Sequence, residues 1–144
     1  MEWYMPKEQK IEYSRLETGY EFPPSSYKLD SSTVATYLKA VEETSSLYQD
    51  TELVPPMAIA AYAMAALSEG ICLPPGTIHV SQEFEFLGTA SINDTFTSFA
   101  RVGKKQSRGK FHFLVTELNV INQHQKTVLV GKTSFILPGY SEDT

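Results

Sequence analysis

The chain has 144 residues, a length that suits one domain and lets roughly 70% of the unfolded surface be buried without staples from disulfides or metals. Hydrophobic residues make up 42% and charged residues 20%, which excludes wholesale disorder and fibrous repeats. A net charge of −5 argues against nucleic acid as the main partner, because backbone binding draws on clustered Lys and Arg.

The single cysteine, Cys72, has no partner within the chain, and Met1 to Lys10 mixes charges and aromatics where a secretory leader needs an unbroken apolar stretch. A cytoplasmic, reduced protein is expected. Residues 1–26 lack periodicity and end in Phe22-Pro23-Pro24-Ser25-Ser26, so they read as an arm, with Trp3 and Tyr4 covering apolar surface, ahead of a domain over 27–140. Tyr27 to Leu29 is a short strand candidate. Asp30 or Ser31 can then cap a helix carrying Val34, Tyr37, Leu38 and Val41 at helical spacing, fading near Glu43 to Ser46.

Met57 to Ser68 is apolar on every face and contains six alanines, so it is expected to be a central helix buried all round, with Ala61 and Ala65 too crowded to accept Leu. It is too short for a membrane: twelve residues make roughly 18 Å of helix against a bilayer core of about 30 Å. Pro55-Pro56 and Pro74-Pro75 delimit it, and Gly70 suits its stop. From Thr77 the pattern turns β-branched and aromatic. Strands are expected at about 77–86, 95–103, 110–121 and 127–137, with turns at Gly88 to Asp94, Lys104 to Gly109 and Asn122 to Lys126. A buried helix followed by long antiparallel strands predicts an α+β, single hotdog fold, a curved antiparallel sheet wrapped around the helix.

Charge is divided along the chain. Eight acids and no Lys or Arg lie between Ala40 and Ala100, whereas Arg101 to Lys132 holds seven bases and one acid, Glu117. Arg101, Lys104, Lys105, Arg108 and Lys110 are either a solvated hairpin tip or a patch meeting phosphates or an acidic carrier protein. His79 and Glu83, four apart on a strand, are expected on one face as an acid/base pair or as ordinary surface residues. His112 and His124 are isolated, no zinc spacing is present, and Cys72 reads as a packing residue.

Gly19-Tyr20-Glu21-Phe22-Pro23-Pro24, the helix at Thr33 to Glu43, the apolar central helix, Phe84-Glu85-Phe86, and Asn122 with Gly131 in the last hairpin occur in an order that resembles the MaoC-like dehydratases and (R)-specific enoyl-thioester hydratases. The resemblance runs from Ser14 to the last strand. It implies a lyase of fatty acid metabolism acting on a coenzyme A or acyl-carrier thioester, with no further cofactor. It also implies a second hotdog subunit whose sheet joins this one, the acyl group sitting at the interface.

Two departures bear on catalysis. Catalytic members end the first helix with an Asp and a His separated by four residues, which move the C2 proton and manage water at C3. Glu43 and Tyr48 occupy that place here, and tyrosine, which ordinarily titrates near 10, is a poor general base. The family's central helix opens with a Gly whose N–H polarises the thioester carbonyl; Pro56, followed by Met57, matches that position and has no N–H. Both changes resemble the degenerate, non-catalytic amino-terminal hotdog of double-hotdog proteins and heteromeric dehydratases. The site residues implied are therefore Glu43 and Tyr48 at degenerate catalytic positions, with Pro56, Met57, Arg101, Lys104, Lys105 and Arg108 toward the substrate. Three readings stay open: a non-catalytic substrate-binding subunit paired with a catalytic hotdog, an active homodimeric hydratase or thioesterase using Glu43, and an acyl-thioester binding module without chemistry.

Overall fold

A computed structural model describes residues 10–49 and 51–139; Trp3 and Tyr4 lie outside the described residues. In chain order the elements are β1 (Ile11–Glu12), β2 (Ser25–Lys28), α1 (Ser31–Ala40), α2 (Pro56–Gly70), β3 (Ile71–Cys72), β4 (Ile78–Phe86), β5 (Thr95–Arg108), β6 (Phe111–Ile121) and β7 (Thr127–Pro138), with 3₁₀ turns at Tyr13–Arg15 and Ser46–Tyr48. Five strands form one antiparallel sheet in the order β2-β5-β6-β7-β4, and β1 and β3 make a separate parallel pair.

The four long strands fall where alternation and β-branching place them, with one extension. β5 runs through Lys104 to Arg108, a stretch expected as a turn, because each residue finds a partner on β6; the reversal is confined to Gly109, at φ +58°, and Lys110. Asp30 caps α1 by accepting from the Thr33 N–H at 2.8 Å, and that bond holds its carboxyl below the ordinary range. α2 starts on Pro56, where a missing N–H leaves no intrahelical bond unmade, and passes through Gly70 directly into β3.

α2 joins two halves of the core. Around its first half pack Leu29, Val34, Phe96, Val120 and Leu129; around its second half pack Tyr13, Leu16, Phe22, Val102 and Leu114. Tyr13, Leu16 and Phe22 come from the segment ahead of β2. That segment is tied to the sheet backbone through Gly19 N–H to Val102 O, Val102 N–H to Tyr20 O and Phe22 N–H to Ala100 O. Lys105 adds a clamp, donating to Tyr13 O at 3.1 Å and Leu16 O at 2.8 Å.

The expectation of a sheet wrapped around a helix buried on all sides is overturned. The sheet is open, neither closed nor strongly curled, and ends in two free edges, β2 and β4. Five strands are too few to surround a helix: a closed barrel of about eight has an interior just wide enough for side chains, whereas a helix with its side chains is about 10–12 Å across. α2 therefore buries Ala58, Ile59, Ala60, Ala63 and Leu67 against the sheet, while Ala61 and Ala65 are exposed and Met57 is 49% exposed. The same openness leaves the outer face of β6 uncovered, with Phe111 54% exposed.

Candidate functional site

The turn after α1 sets the first candidate residues. Glu42 adopts a left-handed conformation at φ +57°, and the N–H groups of Glu42 and Glu43 close the helix end on Lys39 O and Leu38 O, the pattern in which a glycine is commonest. Glu43 is thrown outward, exposed, and its Oε1 accepts the Ser45 N–H at 2.9 Å. Ser45 in turn accepts the Leu47 N–H at 3.2 Å and starts the 3₁₀ turn that carries Tyr48, half-buried. Tyr37, on α1, shares this neighbourhood: burial raises its hydroxyl above the ordinary tyrosine range, and Tyr48 and Glu43 push it the same way. The sequence placed Tyr37 only as a core-facing helical position. Its hydroxyl end belongs to the Glu43–Tyr48 group, which a stripe of apolar spacing cannot reveal.

The opening of α2 supplies the next pair. Val54 donates to Ala90 O and Leu53 bridges to Ser91, fixing the chain that leads into Pro55 and Pro56. Pro56 is the first helical residue and offers no donor, so the helix end's first N–H belongs to Met57, whose side chain is half exposed. None of the clefts described below is lined by Glu43, Tyr48, Pro56 or Met57. Glu43 and Met57 are exposed, and Tyr48 and Pro56 are half-buried.

The basic residues do not form one patch. Arg101 pairs with Glu117 at 2.9 Å within a transverse row of alternating charge: Glu21 bridges to Arg101, Arg101 stands opposite Glu117, Glu117 opposite Lys132, and Lys132 opposite Glu83. Opposite charges at facing positions are mutually favourable. This row crosses a cleft of about 700 Å³ on the outer sheet face, floored by Phe99 and Val130. Lys104 and Arg108 line a smaller neighbouring groove of about 220 Å³ with Gln106 and Phe113. Lys105, the next residue after Lys104, projects to the opposite face, where its ammonium lies 4.5 Å from the centroid of the Tyr13 ring. Lys110 is exposed in the hairpin turn.

His79 and Glu83 are not on one face. A bulge between His79 and Ser81 shifts the register, so that His79 stands opposite Phe135 and Glu83 opposite Lys132, residues of opposite parity on β7. His79 bonds Gln82 Oε1 at 3.0 Å instead. Cys72 is exposed rather than packed. His112 Nδ1 lies 2.7 Å from Ser107 Oγ. Asn122 is a turn residue, its Oδ1 accepting the His124 and Lys126 N–H groups. At Gly131 a side chain would meet Phe84 at 3.0 Å and Glu83 O at 3.1 Å, so any larger residue there needs the Phe84 ring or the β4 backbone to give by a few tenths of an ångström. Among the described residues no group of three His, Cys, Asp or Glu is placed to hold a metal ion, and no helix is long and apolar enough to cross a membrane.

One α-helix lying on an antiparallel sheet in this strand order, with the Glu43–Tyr48 turn and the opening of α2 on its flank, is the hotdog arrangement. The family described as "FAS1-like, dehydratase domain region" matches residues 17–130, and the chain belongs to that family. No curated protein sequence matches it significantly. Among solved structures it is similar to the unliganded R-hydratase PhaJ1 of Pseudomonas aeruginosa, with TM-score 0.76, 19% identity, and coverage of 91% of this chain and 88% of that one. It is also similar to the MaoC-like dehydratase of Rhodospirillum rubrum, with TM-score 0.68, 14% identity, and coverage of 90% and 97%. The HadBC (3R)-hydroxyacyl-ACP dehydratase complex of Mycobacterium tuberculosis matches with TM-score 0.61, 16% identity, and coverage of 83% and 96%.

Proposed function

We propose that the chain is a non-catalytic, acyl-thioester-binding subunit that pairs with a second hotdog carrying the acid and the imidazole. The observation that carries this reading is Pro56 at the first position of α2: proline removes the backbone donor that would polarise a thioester carbonyl, and no side-chain change elsewhere restores an N–H there. Tyr48 in the place of an imidazole supports the same conclusion. Losing an oxyanion donor ordinarily lowers kcat by about 10²- to 10³-fold, and losing a general acid or base by about 10²- to 10⁴-fold.

Two exposed surfaces favour a second subunit. β4 is a nine-residue free edge whose Ile78, Val80 and Phe86 are 58%, 47% and 40% exposed, and the solvent side of α2 presents Met57, Ala61 and Ala65. A long apolar edge left open invites pairing, and the small side chains of α2 let another backbone approach. The HadBC dehydratase, solved as a complex, supports a hetero-oligomeric reading by analogy.

The alternative is an active homodimer using Glu43, favoured by the placement of Glu43 and Tyr48 on one turn, close enough for both to act electrostatically on the Tyr37 hydroxyl. Purification under native conditions separates the two. The proposal expects a second hotdog chain, bearing an Asp and a His after its first helix, to co-purify at a fixed ratio; recovery of this chain alone as a homodimer that turns over acyl-coenzyme A contradicts it.

A further inference from the structure

At the far end of α2 from Pro56, beyond about 22 Å of helix, lies a cleft of about 940 Å³ whose lining includes Tyr13, Leu73, Pro74, Lys105, Ser107 and His112. Here the inner face of the β5–β6 hairpin outruns α2, and the Tyr13 segment stands in for the helix. Lys105 and Ser107 are two apart on β5 and share that face, and His112 stands directly opposite Ser107 on β6.

Two hydrogen-bonding groups line this cleft, the Lys105 ammonium and the Ser107–His112 pair. The half-buried Lys105 ammonium gives two of its three hydrogens to Tyr13 O and Leu16 O. Among the described residues the one ion pair is Arg101–Glu117, so the charge of Lys105 is met by carbonyl dipoles and the Tyr13 ring alone. Ser107 Oγ lies 2.7 Å from His112 Nδ1, leaving Nε2 as the open hydrogen-bonding position of the imidazole. Leu73, Pro74 and Pro75 form an apolar wall. We propose that this cleft binds a small molecule bearing an oxyanion, a phosphate monoester or a carboxylate, with the anion between Lys105 and the one hydrogen that the Ser107–His112 pair leaves free, and an apolar body against Leu73-Pro74-Pro75. Glu12, exposed, is the one acid in the lining, and it opposes such a ligand.

The test is calorimetry with inorganic phosphate, phenyl phosphate and benzoate, together with NMR of the His112 imidazole. Saturable binding of phenyl phosphate or benzoate that shifts the His112 resonances is expected; which of the two binds tighter distinguishes phosphate from carboxylate. Ser107→Ala and His112→Gln should each weaken it by about tenfold, as loss of one charge-assisted hydrogen bond does, and Glu12→Gln should strengthen it. Ser107 is exposed and neither side chain bonds Lys105, whereas the His112 ring lies 5.3 Å from the Tyr13 ring, so an unchanged urea midpoint is the control for His112→Gln. The proposal is overturned if none of the three probes binds saturably below about 10 mM, or if binding is unchanged in both variants.

Discussion

Arg101 and Glu117 stand opposite each other on β5 and β6, with Nε 2.9 Å from Oε2, and their side chains remain 54% and 42% exposed. Gly103 makes room for this pair, since a side chain there would come within 2.7 Å of Glu117 Oε1. Exposed pairs are screened by solvent and contribute about 0 to 1 kcal/mol. Glu117→Gln should accordingly lower stability by less than about 1 kcal/mol in urea unfolding, with the difference shrinking in high salt. A loss several-fold larger would mean that the charge row from Glu21 to Glu83 acts as one unit.

Lys104 and Lys105 are neighbours in sequence with separate fates. Lys104→Met, on the open outer face, should change stability by no more than about 0.5 kcal/mol. Lys105→Met should lower it by about 2 kcal/mol, because two charge-assisted bonds to Tyr13 O and Leu16 O are lost, and should speed amide exchange at Leu16 and Gly19. Equal effects of the two substitutions would contradict the clamp.

Thr116 is fully buried, and its hydroxyl has no hydrogen-bond partner among the described residues. Thr116→Val keeps the shape and removes the unmet polar group, so it should raise stability by about 1 kcal/mol. A loss of stability on denaturant unfolding would show that the hydroxyl is satisfied in solution.

Burial raises the Tyr27 hydroxyl above the ordinary tyrosine value, and its 2.7 Å contact with Ser98 Oγ only partly offsets this; Tyr13 is raised by burial as well. For a group whose folded pKa is raised, the unfolded chain gives up its proton first. Stability is therefore full below the unfolded value, about 10 for tyrosine, and falls as pH climbs from there through the folded value. Urea midpoints should be flat from about pH 8 to 9.5 and decline above about 10. Tyr27→Phe should flatten that decline, and an undiminished decline in the variant would remove Tyr27 as a source.

The fold was legible where side-chain pattern decides it. Alternation and β-branching located β4, β6 and β7, prolines marked the opening of α2, and of the two cap candidates for α1, Asp30 and Ser31, Asp30 is the cap. What pattern could not carry is how much of a helix one sheet can cover: the alanines of α2 read alike, and only the open sheet separates buried Ala63 from exposed Ala65. Bulges were equally invisible. The one at His79/Ser81 is a property of pairing with β7 and puts His79 and Glu83 on opposite faces. The backbone deficit at Pro56 was readable because it is inherent in the residue type, whereas the neighbourhood of Tyr37 depends on the tertiary turn that brings Tyr48 back to α1.

The central claim is that this chain lacks the chemistry its family performs and needs a partner to supply it. Hydration of crotonyl-coenzyme A by the purified homomeric protein tests this most directly. The account predicts turnover below about 1% of an ordinary enzyme's 10 per second, restored when a hotdog subunit with intact Asp and His is added. Turnover by the homomer within about tenfold of that ordinary rate, abolished by Glu43→Gln, would contradict it and make Glu43 the catalytic residue.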